Sequence, residues 1–185
     1  MKIKVIKTPL PNLVVVDIDY FEDDRGFFIE TWHKKDFAAA GLALEFVQDS
    51  HSRSKHKVLR GLHYQDMTAP MGKLLRCTQG AIFDVAVDLR VSSATFGKWF
   101  GIELTADTKK QVYVPVGFAH GFVVLSDWAE IQYKQTGFYT PQAEGTIAWN
   151  DKDLGIEWPI NDPILSKRDE TGVPLSDYLK NPAFK

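Results

Sequence analysis

The stretch KVLRGLHYQ, residues 57–65, places His63 beside an arginine, a glycine and a tyrosine in an apolar run that is typical of a strand. The next clear strand, KLLRCT, brings in Lys73 and Arg76. A histidine inside a strand has three interpretations: hydrogen-bonded core filler, a metal ligand, or a base in proton transfer. Each predicts a different function, so the residues that accompany His63 decide what the protein does.

Proton transfer is one chemistry that the residue types allow. An unperturbed histidine has a pKa near 6.5, so His63 can act as a base at neutral pH. Asp169, in LSKRD, is a candidate to orient it, and Lys73 is a candidate to stabilise an oxyanion. Tyr133 shares strand parity with the apolar residues two and four positions before it, which predicts an inward-facing proton donor. Together these groups suit proton abstraction next to a carbonyl. Core histidines and tyrosines satisfied by hydrogen bonds are commoner, so residue types alone leave that alternative open.

A metal site is the competing interpretation. Such sites usually need three or four ligands at workable spacing, and the sequence has no H-x-H, H-x-x-x-H or C-x-x-C pair. His33 and His56 lie beside lysines and are expected on the surface. The run VPVGFAHGF, residues 114–122, matches P-x-G-x-x-H, the second half-motif of the cupin jelly roll, with His120 pointing into the barrel. The first half-motif, H-x-H plus a glutamate, is missing, so a metal-free barrel is the direct interpretation. A chance match and a metal held by distant strands stay open.

Short β-rich runs follow one another at a spacing of roughly 8–12 residues, which is the rhythm of a sandwich or barrel. Helix signals are confined to residues 34–41 and 175–180. The sequence therefore predicts an all-β, jelly-roll (cupin-like) barrel with short peripheral helices, as a single domain over residues 1–185. The tail after EWP is predicted to be loop on the barrel surface.

Two strands carry more specific expectations. In AIFDVAVDLR, Asp84 and Asp88 share one face with small or apolar residues, as expected where a strand lines a cavity or an interface. In KVLRGLHYQ, strict alternation places Arg60 and His63 on opposite faces. A bulge at Gly61 would let both reach one cavity.

Composition excludes several classes of protein. The net charge of −2, without a long run of one sign, gives no case for nucleic acid or an anionic membrane as partner. The N-terminal apolar run is too short for a secretory signal, and no stretch approaches the roughly 20 apolar residues of a membrane helix. Cys77 is the only cysteine, which excludes an intrachain disulfide and fits the reducing cytoplasm as location.

Several blocks together resemble the dTDP-4-dehydrorhamnose 3,5-epimerase family, among them DDRGFFIETW, FVQDSHSRSKHKVLRGLHYQ, VPVGFAHGF and LSKRD. The similarity runs from about residue 5 to residue 170. It implies a metal-free and cofactor-free cupin barrel that works as a homodimer. It also implies the substrate dTDP-4-keto-6-deoxy-D-glucose, inverted at C3 and C5 to dTDP-4-keto-L-rhamnose.

The resemblance also assigns roles to residues. It makes His63 the general base, Asp169 its partner, Tyr133 the proton donor and Lys73 the cation near the C4 carbonyl. Tyr139 matches the residue that stacks on thymine. The remaining matches are contacts to nucleotide, diphosphate or sugar, and the neighbouring subunit donates two of them, Arg25 and Glu30. The others are Phe28, Gln48, Ser50, Arg60, His120, Glu144 and Arg168.

Three positions depart from the family pattern. Ser50 replaces an asparagine that contacts the ligand, and Arg168 replaces a lysine, which keeps the charge but changes the geometry. Phe138 stands where some relatives carry a second tyrosine. The proposed base and acid are unaffected, whereas Ser50 and Arg168 bear on nucleotide affinity.

Alternative functions remain on the same fold. Close relatives epimerise only C3 or only C5, or isomerise the ketone, with much the same residues. A non-catalytic sugar-nucleotide-binding cupin is a different class, but it would be expected to have lost the base or the acid. A metal-dependent cupin oxygenase is the third alternative, and metal analysis of the purified protein would identify it.

Overall fold

A computed structural model describes residues 2–185 of the chain. Strands dominate this part of the chain and helices are short. The strands are β1 (Ile3–Lys7), β2 (Val14–Ile18), β3 (Phe21–Asp23), β4 (Gly26–Phe28), β5 (Gln48–Lys55), β6 (Leu59–Gln65), β7 (Lys73–Gln79), β8 (Ala81–Asp88), β9 (Trp99–Thr105), β10 (Gln111–Val114), β11 (Phe118–Val124), β12 (Trp128–Gln135) and β13 (Glu144–Thr146). The helices are α1 (Lys34–Ala39), α2 (Lys167–Glu170) and α3 (Leu175–Tyr178), and Pro141–Ala143 form one 3₁₀ turn.

Two antiparallel sheets face each other. The six-stranded sheet has the order β1-β2-β10-β7-β12-β5, and the five-stranded sheet has the order β13-β6-β11-β8-β9. Strands β3 and β4 form a separate hairpin. The predicted all-β jelly roll is confirmed, because non-consecutive strands pair within both layers as that topology requires.

The space between the sheets is apolar at one end and polar at the other. Leu75 and Val112 of the six-stranded sheet pack with Ile82 and Phe122 of the five-stranded sheet in a buried cluster. At the edge of the six-stranded sheet, however, the alternate residues of β5 that share the parity of the buried Ser54 are glutamine and serines. These side chains cannot form a dry core, so this end of the fold can hold a polar cavity.

The outer faces of both sheets are covered by other parts of the chain. Helix α1 buries Phe37 against β2 and β7 on the six-stranded sheet. On the five-stranded sheet, Leu154, Tyr178 and Phe184 of the C-terminal tail pack against Leu62 and other buried residues. The predicted helices at 34–41 and 175–180 are confirmed.

Outside the helix predicted at 175–180, the prediction that the tail after EWP is loop was wrong in part, because it did not include α2. This segment contains α2 and α3, and it buries aromatic and aliphatic side chains against the sheet. Helix α2, with four residues, is too short to give an apolar periodicity in the sequence, and tertiary packing stabilises it. Within residues 2–185, no helix has the length and apolar character needed to cross a membrane.

Candidate active site

A bulge in β6 brings Arg60 and His63 to one cavity. On the neighbouring strand β11, His120 pairs with His63 and Phe122 pairs with Arg60, so three steps along β6 match two steps along β11. One extra residue in a strand turns the residues after it to the other face. Both side chains therefore line the same cavity, through the irregularity at Gly61 that the sequence analysis named as the condition for it.

Glycine is required at the centre of this bulge. Gly61 has φ +138°, a backbone conformation that side chains with a Cβ rarely adopt. A Cβ on Gly61 would lie 2.5 Å from the Cα of Gly121 on β11, well inside contact distance. The two backbones can approach this closely only because both positions are glycine.

The partner of His63 comes from the C-terminal tail. Ser166 caps α2, and its hydroxyl donates to Asp169 Oδ2 at 2.7 Å. Asp169 Oδ1 lies 2.6 Å from Nε2 of His63 and 3.3 Å from the backbone nitrogen of Gly61. Because a carboxylate only accepts hydrogen bonds, the hydrogen-bond network assigns the imidazole hydrogen to Nε2. The lone pair of the ring, and hence its basic position, is on Nδ1.

The environment keeps this pair in the state that a base needs. Burial lowers the pKa of His63, the hydrogen bond with Asp169 opposes this, and the charges of Arg168 and Lys73 lower it further. For Asp169, burial alone would raise the pKa, but hydrogen bonds from His63 and Ser166 bring it down to about 2. At neutral pH the pair is a neutral imidazole held by a carboxylate.

The cavity has a volume of about 120 Å³ and lies between the two sheets. His63 enters it from the five-stranded sheet, whereas Lys73 and Tyr133 enter it from the six-stranded sheet. Burial lowers the pKa of Lys73, and the carboxylates of Glu144 and Asp84 oppose that lowering. The cavity is lined by Ser52, Arg60, His63, Lys73, Leu75, His120, Phe122, Ile131, Tyr133 and Arg168.

A larger cavity of about 330 Å³ lies beside it, around Asp49, Arg76 and Lys134. The two cavities share Tyr133 in their linings. The smaller one is the candidate active site, because it is lined by His63, whose ring is hydrogen-bonded to Asp169, and by the lysine that the chemistry requires.

The rim of the candidate site is a connected polar group. Glu144 Oε2 accepts hydrogen bonds from Arg168 at 2.6 Å and from the hydroxyl of Tyr139 at 3.1 Å. The backbone nitrogen of Tyr139 donates to Gln48 Oε1 at 3.0 Å. The ring of Tyr139 is 47 % exposed, so its face is accessible to a planar ligand.

Sequence reasoning missed Asp84 as a site residue. Its Oδ2 lies 2.8 Å from Nε2 of His120, and the carboxylate is 1 % exposed. A sequence signal did exist, since the polar face of β8 was expected to line a cavity or an interface. That signal gave no indication of which histidine Asp84 would meet.

Some residues from the sequence prediction are not brought together in one chain. Arg25, at the tip of the β3–β4 hairpin, bonds Asp23, and Phe28 is 64 % exposed. Neither they nor Glu30 line the cavity described above. Ser50 donates its hydroxyl to Gln135 Oε1 at 2.9 Å. As ligand contacts, Arg25, Phe28, Glu30 and Ser50 remain predictions.

The surface histidines lie where the sequence placed them. His33 caps α1 with 46 % of its side chain exposed, and His56 is exposed. Across residues 2–185, histidine, cysteine, aspartate and glutamate side chains form no group of three or more that could hold a metal ion. His63 and His120 each form a pair with one carboxylate.

Known proteins similar to this chain belong to one family. Residues 7–177 match the family model described as dTDP-4-dehydrorhamnose 3,5-epimerase. A Shigella flexneri protein of that name is 51 % identical over 174 residues, 94 % of this chain and 96 % of that protein. The crystal structure of dTDP-4-dehydrorhamnose 3,5-epimerase from Elizabethkingia anophelis is 46 % identical, with a TM-score of 0.90, over 96 % of this chain and 98 % of that one.

A further solved structure, of dTDP-6-deoxy-D-glucose-3,5-epimerase from Legionella pneumophila, contains dTDP-4-keto-L-rhamnose. It is 41 % identical, with a TM-score of 0.90, over 94 % of this chain and 93 % of that one. These similarities extend over nearly the whole chain and confirm the resemblance seen in its motifs. The chain therefore belongs to the dTDP-4-dehydrorhamnose 3,5-epimerase family, a family of isomerases.

Proposed function

We propose that this protein epimerises dTDP-4-keto-6-deoxy-D-glucose at C3 and C5 to give dTDP-4-keto-L-rhamnose. The observation that carries the proposal is the placement of His63 on one sheet, facing Lys73 and Tyr133 on the other across one small cavity. A sugar ring between the sheets has a base on one face and a proton donor on the opposite face, as inversion of a carbon centre requires.

The C4 ketone of the substrate makes the hydrogens on C3 and C5 acidic. His63 Nδ1 takes one of them, the C–H bond breaks, and its electron pair moves onto the C4 oxygen as an enolate. Lys73 stabilises that oxygen. Tyr133 then donates a proton to the same carbon from the opposite face. Positioned acid–base groups contribute about 10²–10⁴-fold each, and an oxyanion donor roughly 10²–10³-fold, without a metal or an organic cofactor.

The nucleotide anchors the sugar and takes no part in the chemistry. The exposed ring of Tyr139 stacks on thymine, with Gln48 and Glu144 around it. Arg60 and Arg168 provide positive charge for the diphosphate at the edge of the cavity. Binding energy from these remote contacts holds the ketone against His63 and Lys73.

The active form in this proposal is a homodimer in the cytoplasm whose nucleotide site is shared between subunits. The hairpin β3–β4 supports it, because Phe21, Phe27 and Phe28 are 69 %, 54 % and 64 % exposed. Clustered exposed aromatic residues mark an interaction surface. The same segment carries Arg25 and Glu30, the contacts that the resemblance assigns to the neighbouring subunit.

A mixing experiment tests the shared site. Inactive Arg25→Ala and inactive His63→Ala chains, combined into hybrid dimers, should regain part of the activity, since some hybrid sites carry neither lesion. Verified hybrids that stay inactive would count against sharing.

The reaction itself is tested by incubating the enzyme with dTDP-4-keto-6-deoxyglucose in D₂O and locating deuterium by NMR. We expect deuterium at both C3 and C5, together with formation of the L-rhamno ketone. Deuterium and inversion at one carbon only would identify a single-centre epimerase. Binding of the nucleotide sugar without any exchange would identify a non-catalytic protein.

A further inference from the structure

The basic nitrogen of His63 is in contact with a guanidinium group. Arg168 lies on α2 directly before Asp169, and its NH2 group is 3.2 Å from Nδ1 of His63. A guanidinium only donates, so it bonds the lone pair that would take the substrate proton. A substrate carbon must approach that same nitrogen. The Arg168–His63 contact therefore has to break before a proton can be transferred.

The same guanidinium connects the base to the nucleotide end of the site. NH1 of Arg168 donates to Glu144 Oε2 at 2.6 Å, and that oxygen also accepts from the hydroxyl of Tyr139. A continuous series of hydrogen bonds thus runs from Tyr139 through Glu144 and Arg168 to His63 and on to Asp169.

We propose that Arg168 is a positioning residue that fixes His63 as the neutral Nε2–H tautomer, and that the substrate diphosphate displaces it from Nδ1. The proposal rests on the proposed function, because it takes a nucleoside-diphosphate sugar as the ligand. A diphosphate is the stronger acceptor for a guanidinium than a neutral imidazole nitrogen. Binding of the nucleoside diphosphate part of the substrate would then expose Nδ1 of His63.

Arginine suits this role better than the lysine that the family pattern has at this position. The planar fork of a guanidinium can bond two acceptors at a fixed angle, and here it bonds Glu144 and His63 together. A lysine ammonium is a compact charge on a flexible stem and does not hold both acceptors in one plane.

The charges around His63 determine the direction in which its pKa changes when the contact with Arg168 breaks. Asp169 on α2 raises the pKa of His63, whereas Lys73 on β7 and Arg168 lower it. The other ionisable groups at the cavity are Arg60, His120, Tyr133, Asp84 and Glu144. Loss of the Arg168 charge from Nδ1 removes one contribution that lowers the pKa of His63. The pKa should rise whenever that contact is broken.

The test is ¹⁵N NMR of the two ring nitrogens of His63 as a function of pH, with and without dTDP, in the full-length protein. In the wild type without dTDP we expect the Nε2–H tautomer, and addition of dTDP should raise the pKa of His63. In Arg168→Gln, the pKa without dTDP should already be raised, and dTDP should raise it by less than in the wild type. Arg168→Lys should lie between the two.

Lys167→Gln is the matched control, since it removes the same charge from the neighbouring residue of α2, whose side chain is exposed. It should leave the pKa of His63 and its response to dTDP as in the wild type. Arg168→Gln should also weaken dTDP binding about tenfold, whereas the control should not.

Three results would overturn the proposal. The pKa and tautomer of His63 in Arg168→Gln could match the wild type; the rise caused by dTDP could be equal in both proteins; or dTDP affinity could be unchanged. None of these measurements involves turnover. Failure of the proposed function would instead appear as a lack of deuterium exchange in D₂O.

Discussion

Replacing Asp169 by asparagine isolates the contribution of its negative charge. Asparagine has nearly the shape of aspartate, so its amide oxygen can still accept from Nε2 of His63 and its amide nitrogen can meet the hydroxyl of Ser166. The geometry of the dyad, 2.6 Å and 2.7 Å for these two contacts, can be kept. The variant loses the charge that stabilises His63 once it has taken up a proton.

The expected loss of activity in Asp169→Asn follows from two independent magnitudes. A hydrogen bond to a charged group contributes about 1.5–3 kcal/mol. Two unit charges about 4 Å apart interact by about 4 kcal/mol at an effective dielectric constant of 20. A loss of roughly 2–4 kcal/mol of transition-state stabilisation lowers kcat by about 30- to 1000-fold. We therefore expect kcat of Asp169→Asn to fall by about 30- to 1000-fold.

The assay is the pH dependence of kcat/KM for epimerisation, with binding of dTDP measured alongside. Asp169 raises the pKa of His63, so its replacement should move the acidic limb of the profile to lower pH while the plateau falls. Ser166→Ala is the control, because it removes one hydrogen bond to the carboxylate but keeps the charge. It should lower kcat by less than about tenfold and cost about 1 kcal/mol of stability through the lost helix cap.

An Asp169→Asn enzyme whose plateau stays within a few-fold of the wild type would refute this role, since the carboxylate would then not act on the protonated base. An acidic limb that moves to higher pH would contradict the sign. Unchanged dTDP binding and an unchanged melting temperature would exclude simple misfolding as the cause of lost activity.

Four further outcomes depend on individual side chains. Tyr133→Phe should suppress inversion more than deuterium exchange, both measured by NMR, and inversion at the normal rate would remove the tyrosine from the mechanism. Tyr139→Ala should weaken dTDP binding by roughly 1–3 kcal/mol in calorimetry, since it removes a stacking ring, whereas Tyr139→Phe should change it little. Gly61→Ala should lower the free energy of unfolding, measured in urea, by at least about 2 kcal/mol, because its Cβ would lie 2.5 Å from backbone. Gly41→Ala, whose Cβ has open space around it, should lower the free energy of unfolding by less. Asp88 is fully buried, which alone would raise its pKa, but its hydrogen bonds lower the pKa from 3.8 to about 2. Because the unfolded chain therefore takes up this proton at a higher pH than the folded chain, the free energy of unfolding should fall by about 2 kcal/mol as the pH drops from about 4 to 2. Asp88→Asn should lack this part of the loss of stability in acid.

The sequence by itself determined the features that depend on local pattern. Strand alternation is enough to turn Tyr133 inward, because each residue of a strand faces opposite its neighbour. The alanine-rich run at 34–41 and the run at 175–180 were predictable as helices. The residue types of His63, Asp169 and Lys73 indicated proton transfer, and the family motifs assigned their roles before any contact was known.

Tertiary structure decided which of these residues meet and through which atoms. Asp169 reaches His63 across 106 residues of chain, on a helix too short to be recognised in the sequence. The bulge at Gly61 depends on the backbone of another strand, and the pairing of Asp84 with His120 depends on register. Only the folded contact shows that Asp169 occupies Nε2 of His63, which leaves the lone pair on Nδ1. Each of these contacts joins segments that are far apart in the sequence. A local pattern of residues predicts strands, helices and the faces of strands, but the distance between two such segments depends on how the whole chain folds.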